Sequence, residues 1–298
     1  MRDSKPLVSI GLPIYNGADS VRYALESLLT QDYENFELII SDNHSTDSTQ
    51  EICLDYAARD KRIRYFRNEM NLGPRNNFNK IFELSRGEYF MWHAHDDLRE
   101  PNYLSSCLEI MEMNPNIILC CSSTLFNEDG NFRESKEDLN TIGMSPNRRF
   151  RKILWINSCA SIYGLIRSSV LRKTELFKKT VATDNLLLAE LSLLGEFYQL
   201  PLFLFNKKIK RKNNFQRIDG FIEIDLPARD RYIYLPLIRL AIEHWKVVKN
   251  YPLQKKEKFI AFLDIILCSL LKHKVLLLDP IFTLYLNLSK LRKWLEIH

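Results

Sequence analysis

The chain has 298 residues, 46% of them hydrophobic and 27% charged, with only 9 glycines and a formal net charge of +5. That balance suits a chain burying one large core, or a core plus an appendage, and excludes collagen-like, low-complexity and disordered classes. The charge is uneven: residues 226–298 carry 13 Lys plus Arg against 6 Asp plus Glu, which leaves the first 225 residues close to neutral. A basic tail points to an anionic partner, membrane surface or nucleic acid, and its plain alternative is a solvated helical face. The six cysteines show no C-x-x-C spacing and sit mostly in apolar runs, so buried, reduced thiols are expected. Residues 1–10 lack a signal peptide's apolar segment, which together with the thiols predicts a cytoplasmic setting.

In chain order, residues 7–12 read as a strand ended by Pro13, followed by a turn at Tyr15-Asn16-Gly17. Val21, Leu25, Leu28 and Leu29 then recur at helical spacing. Residues 36–41 form the next strand, with Asp42 at its carboxyl end and a polar turn over 43–47. Ser48 and Glu51 fit a capping box opening a helix to about Ala58. Residues 62–66 predict a third strand, 68–76 a polar loop and 77–85 a short helix with Gly87 just past its end. The aromatic-rich run 88–92, bracketed by Gly87 and the Asp96-Asp97 pair, predicts a buried strand. This β-α alternation builds a parallel sheet with right-handed crossovers.

Pro101 suits the first turn of a helix over 101–113, and 116–125 reads as an apolar strand. Residues 127–130 form a turn, expected within a hairpin. Residues 133–151 are polar and loop-like, 159–166 strand-like, 185–194 helical after Thr183-Asp184, and 197–205 again a strand. From about residue 226 the pattern is helical, with very apolar runs at 259–271 and 275–288. Each is shorter than the roughly 20 residues that cross a bilayer. The expected organisation is therefore an α/β domain over 1–225 and a basic, apolar helical appendage over 226–298. The appendage either packs on the domain or lies in a membrane interface. The second reading draws on the coincidence of basic excess and apolar surface.

Asp96 and Asp97 fall at the carboxyl end of a core strand, where open α/β sheets place ligands. Adjacent carboxylates repel unless a cation or donor network neutralises them, and a divalent ion carrying phosphates is the simplest such partner. A solvated turn is the plain alternative. His93 and His95 lie on one face with no third ligand nearby in sequence, which argues against zinc. The lysine-rich stretch 207–212 offers either a phosphate grip or a charged strand edge. Asp42 and Asp184 also have plain readings, as a turn residue and a helix cap.

Taken together, Pro13-Ile14-Tyr15-Asn16, Ser41-Asp42-Asn43-His44-Ser45-Thr46-Asp47, Gly87-Glu88-Tyr89 through Asp96-Asp97, and Thr183-Asp184 resemble the inverting family 2 glycosyltransferases of the GT-A fold. The resemblance runs over residues 6–205 and rests on four motifs in order. It implies a Rossmann-like, mostly parallel central sheet flanked by helices. Pro13, Tyr15 and Asn16 match the nucleotide-contacting turn, and Asp42 the carboxylate that accepts a hydrogen bond from the base. Asp96 and Asp97 match the acidic motif that holds the diphosphate through Mg2+ or Mn2+ and touches the ribose. Asp184 matches the general base, while Arg75 and Asn79 lie in the segment placed near the nucleotide. One departure stands out: Ala94 occupies a position where the family commonly has aspartate, so that contact is lost unless His95 substitutes.

The implied activity is metal-dependent, inverting transfer of a sugar from a nucleotide-sugar donor to a glycan or lipid-linked hydroxyl acceptor, in surface polysaccharide or glycan assembly. The expected location is cytoplasmic and peripheral at the inner face of a membrane. The alternative is a non-catalytic sugar-nucleotide-binding or partner protein of the same fold. Nucleic acid is not an expected partner, because neither aromatic-basic interleaving nor a recognition-helix motif is present.

Overall fold

A computed structural model of the chain describes residues 6–156, 160–209 and 236–272. Strands β1 (Val8–Ile14) and β2 (Phe36–Asp42) are buried at every position, as strands covered on both faces must be. With β3 (Ile63–Arg67) and β4 (Tyr89–Trp92) they form a parallel block in the order β3-β2-β1-β4. Helices α1 (Val21–Leu29), α2 (Thr49–Arg59) and α3 (Pro74–Glu83) make the crossovers. The sheet continues through β8 (Leu165–Arg167), β6 (Ile117–Glu128), β9 (Glu196–Lys208) and the short β5 (Leu98–Arg99), with β7 (Asn131–Glu134) paired to β6. Most of the pairing is parallel. The ladders β4–β8, β6–β8, β5–β9 and β6–β7 run antiparallel.

The expected α/β class is therefore present, and several local expectations shift. Helix α3 begins at Pro74, three residues before the predicted start, because Gly73 (φ 77°) turns the chain into a helix whose first residue needs no N–H bond. Ser48 precedes α2 without a side-chain cap. Asp47 takes that task, its Oδ1 accepting the Thr49 N–H at 3.1 Å. The stretch read as a loop over 133–151 contains the start of α5 (Pro146–Leu154), whose polar residues hid a buried stripe of Phe150, Ile153 and Leu154. Residues 160–163 are a 3-10 turn before β8 rather than strand, and Cys159 lies outside the described residues. The hairpin at 127–130 forms as expected, with Asp129 and Gly130 both at positive φ. Helix α4 (Tyr103–Met113) covers β6, and the short α6 (Ser168–Leu171) follows β8.

The chain divides into two compact units: residues 1–143, 158–177 and 194–211, and residues 144–157, 178–193 and 212–298. The first holds the sheet. Its centre is an aromatic cluster in which Phe82, Trp92 and Phe90 pack edge to face, and Trp92 meets Phe177 at 4.9 Å between centroids. Trp92 Nε1–H is satisfied by the Phe78 carbonyl at 3.0 Å. The second unit gathers α5, most of α7 (Thr183–Leu194), α8 (Pro236–Asn250) and α9 (Lys255–Leu267). The helical unit thus draws on mid-chain segments as well as those beyond residue 226. The predicted helix over 275–288 lies outside the described residues.

Glu37 ties the parallel block together from within. Its carboxylate accepts from Ser9 Oγ at 2.6 Å, the Arg86 N–H at 2.8 Å and Arg64 Nη1 at 2.6 Å. Burial alone would raise this carboxyl, but the Ser9, Arg64 and Arg86 hydrogen bonds outweigh it and hold it below its ordinary value of 4.5. A depressed folded-state value means stability present above the ordinary glutamate range and lost as pH falls through the folded value. Unfolding midpoints measured from about pH 6 down to about pH 3 should fall steeply for the parent chain. The Glu37→Gln variant should start lower and show a flatter acid limb.

Candidate functional site

The parallel register decides what meets at the sheet's carboxyl edge. Ile14 pairs with Asp42, and Gly11 with Trp92, so the turns leaving β1, β2 and β4 emerge side by side. From β1 the chain crosses to β2 and β3 on one side, then returns to β4 on the other. The gap beyond β1 and β4 is therefore a topological switch point, the place where open α/β sheets bind ligands.

The β1 turn presents Tyr15 and Asn16 at the surface, with Tyr15 45% exposed. Asn16 adopts φ 49°, a conformation asparagine tolerates better than most residues. Its backbone N–H donates to Ser45 Oγ at 3.0 Å and its Oδ1 accepts the Thr46 N–H at 2.8 Å. The Gly17 N–H donates to Thr49 Oγ1 at 2.9 Å. The turns after β1 and β2 are thus bound together. A Cβ at Gly17 would sit 2.8 Å from Ile14 Cδ1 and 2.9 Å from His95 Nδ1, so the missing side chain lets the acidic loop pack closely on this turn. Pro13 is buried inside β1, where it shapes the strand behind the turn.

Asp42 differs from its expected setting. It is fully buried, and its carboxylate accepts from the Ser45 N–H at 2.8 Å and Tyr65 Oη–H at 2.7 Å, with Arg67 Nη1 at 3.5 Å. A carboxylate so enclosed organises the turn. Beside it, Asn43, Asn68 and Asn77 form a buried amide network. Asn68 Nδ2 donates to Asn43 Oδ1 at 2.9 Å and to Asn77 Oδ1 at 3.1 Å, and Asn77 Nδ2 donates to the Ser41 carbonyl at 2.9 Å. The Leu72 N–H reaches Asn43 Oδ1 at 2.9 Å, which fastens the loop before α3 to the end of β2.

The acidic pair splits into two environments. Asp96 is half-buried at the lip, whereas Asp97 is 1% exposed. Asp97 Oδ2 lies 3.2 Å from Lys207 Nζ, and its Oδ1 accepts the Lys208 N–H at 2.9 Å. Both Asp97 oxygens thus face the end of β9. Burial, joined by the neighbouring Asp96 charge, pushes the Asp97 carboxyl up by more than Lys207 and the Lys208 N–H bring it down. Burial would lower the Lys207 ammonium, but Tyr163 and Asp97 outweigh it and raise it. The Lys207 ammonium also lies 4.2 Å from the Tyr163 ring centroid. Next along the chain, Arg99 is sandwiched between the Tyr103 and Phe205 rings at 4.0 and 4.1 Å.

His93 is fully buried and held well below the ordinary histidine value by burial and by the Arg99 charge, so it stays neutral. His95, the candidate substitute for the missing aspartate at Ala94, lies with Nδ1 2.9 Å from Ser20 Oγ at the start of α1. Among the described residues no group of three or more His, Cys, Asp or Glu side chains could hold a metal. Of the acidic pair, Asp96 is the carboxylate at the lip, which fits a cation arriving with phosphate oxygens and water, as Mg2+ commonly binds.

Asn79 Nδ2 donates to the Phe177 carbonyl and its Oδ1 accepts the Phe177 N–H, both at 3.1 Å. Both ends of the amide are used in holding that backbone. Arg75 is half-buried in the first turn of α3. In the second unit, Asp184 is half-buried in the first turn of α7, with Oδ1 accepting the Asn185 N–H at 2.9 Å. Sequence reasoning missed Lys207 as the partner of Asp97, and Tyr65 and Arg67 as the partners of Asp42. No local signal marks these pairs, since each depends on strand register.

The family model described as Glycosyl transferase family 2 matches residues 9–179. The chain is 38% identical over 125 residues to an uncharacterized glycosyltransferase of Rickettsia typhi, which covers 41% of this chain and 38% of that protein. It thus spans well under half the length of that relative. Its fold is similar to the crystal structure of Staphylococcus aureus TarS 1-349 in complex with UDP-GlcNAc, with a TM-score of 0.66 at 18% identity, covering 88% and 72% of the two chains. It is also similar to the mannosyltransferase PcManGT of Pyrobaculum calidifontis in complex with GDP-Man and Mn2+, with a TM-score of 0.55 at 12% identity over 97% and 88%. At such identities these likenesses show the fold.

Lys207→Met leaves the Asp97 carboxylate buried without its cation, which should cost roughly 3–5 kcal/mol in denaturant unfolding. Adding Asp97→Asn to that variant should restore most of the loss, because the unpaired charge goes with it.

Proposed function

Because this chain belongs to glycosyl transferase family 2, we propose that it moves a sugar from a nucleoside-diphosphate sugar to a hydroxyl acceptor, with inversion at the anomeric carbon. The observation that carries this reading is the switch point, where the turns after β1 and β2 are laced together beside a lip carboxylate, Asp96.

Each residue then has a task. Tyr15 and Asn16 border the nucleotide, and Pro13 holds their turn from behind. Asp42 acts indirectly, keeping the Ser45 turn, Tyr65 and Arg67 in place. Arg75 faces the diphosphate side from the start of α3. Asp96 holds Mg2+ or Mn2+, which when bound supplies positive charge against the departing diphosphate. The relative crystallised with GDP-Man and Mn2+ supports that donor and metal class. Asp97 does not share the cation: paired with Lys207, it anchors the loop that carries Asp96. Asp184 accepts the proton of the acceptor hydroxyl as that oxygen attacks the anomeric carbon. The acceptor is a glycan or lipid-linked intermediate of surface polysaccharide assembly, met at the inner face of a membrane by a cytoplasmic, peripherally attached enzyme.

A second reading, a sugar-nucleotide binder without turnover, is favoured by Ala94, which removes one acidic contact, and by His95 lying against Ser20 instead. Calorimetry with UDP and with GDP, each with and without Mn2+, separates the two when run beside a transfer assay. Asp96→Asn should abolish metal-dependent nucleotide binding and transfer together. Asp184→Asn should keep nucleotide binding and lose roughly 10²–10⁴-fold in turnover. Near-normal turnover in both variants refutes the assignment. Binding without turnover across a broad acceptor panel selects the second reading.

A further inference from the structure

Helix α9 and the π-helical turn that follows it (Cys268–Lys272) are built inside out. Inward-facing positions carry Ala261, Asp264, Ile265, Cys268 and Ser269, two of them polar. Asp264 Oδ1 lies 3.3 Å from Arg151 Nε, and Cys268 Sγ and Lys272 Nζ donate to the Leu154 carbonyl at 3.5 and 2.9 Å. These bonds to α5 and its end fix the rotation of the helix. The outward positions 259, 260, 262, 263, 266, 267, 270 and 271 are Phe, Ile, Leu or Leu-like without exception, each at least 36% exposed. Their spacing makes one continuous stripe along a helix face. A water-facing helix has the opposite pattern, and a stripe this long marks an interaction surface.

We infer that this stripe seats in the interfacial layer of an anionic membrane, with the helix lying in the plane of the surface. Three observations select lipid as the occupant. Lys255 and Lys256 are exposed at the end of the stripe, with Lys249 exposed on α8, where they would reach headgroups. Among the exposed positions of 255–271 there is no carboxylate, since Asp264 is turned inward and Glu257 is drawn into the helix cap. A second copy of this face would bring more lysine and no acid to answer it, whereas anionic headgroups supply that acid. Finally, no helix among the described residues is long and apolar enough to cross a membrane, and α9 has a polar inner face, so it suits the surface and not a span. The inference deepens the membrane part of the proposed function and does not depend on the transfer chemistry.

The full chain should co-float with vesicles of phosphatidylcholine containing phosphatidylglycerol, bind pure phosphatidylcholine vesicles more weakly, and release with added salt. The triple variant Phe259→Ser, Leu263→Ser, Leu267→Ser should weaken binding to both vesicle types by roughly tenfold or more. Its circular dichroism and unfolding midpoint should stay near the parent's, because the replaced side chains are exposed. Lys255→Gln with Lys256→Gln should weaken binding by roughly tenfold on the anionic vesicles only. Binding is read without any sugar-transfer assay, so an inactive protein that floats keeps this inference and sinks only the catalytic one. Failure of the full chain to bind either vesicle overturns the inference. A dimer dissolved by the triple substitution, with no vesicle binding, assigns the face to a second copy and overturns it as well.

Discussion

The hydrogen-bonded ladders joining β1 to β2 and β4 are the constraint from which the candidate site follows. With Ile14 opposite Asp42 and Gly11 opposite Trp92, three turns distant in sequence reach one edge together. A slip of one residue would send buried Ile10, Leu12, Leu38 and Ile40 to the wrong faces, so packing enforces the register that the site requires. The glycines at 11 and 17 serve the same end. Gly11 leaves room for the Phe90 ring, and Gly17 lets the loop carrying His95 close on the first turn.

Behind that edge, the protein spends its acidic residues in two ways. Glu37, Asp42 and Asp97 are buried and each is answered by a guanidinium, an ammonium, a hydroxyl or backbone N–H groups. Buried carboxylates demand such partners, because lost hydration is not otherwise replaced. Asp96 stays at the lip. The acidic motif therefore divides: Asp97 braces the loop through Lys207 on β9, while Asp96 sits half-buried at the lip. Adjacency in sequence concealed this, since successive residues in a turn can point into different surroundings.

The second unit shows the same logic with the opposite outcome. Asp264 faces inward beside Arg151, and the bulky residues of α9 face out. Exposed Phe259, Leu263 and Leu267 are costly in water and favourable against acyl chains. The basic excess of the C-terminal quarter gives an anionic surface a reason to hold that face.

The amino-acid sequence by itself determined the α/β class, the β-α alternation of the parallel block, the family, and the turn positions of Tyr15, Asn16 and Asp96. These are carried by local periodicity, by turn chemistry and by motifs contiguous in the chain. It also announced that residues 259–271 are apolar, but not which way they face, because a run apolar on most sides has no readable inner stripe. Tertiary structure alone decided that Asp97 belongs to Lys207, 110 residues away, that Asp42 is enclosed by Tyr65 and Arg67, and that Asn79 clamps the backbone of Phe177. It also decided that the polar-looking segment before Leu154 hides a helix with a buried face. Those pairings arise from strand register and packing between distant segments, and a carboxylate's partner cannot be read from its neighbours in the chain when the charge that neutralises it arrives from across the sheet.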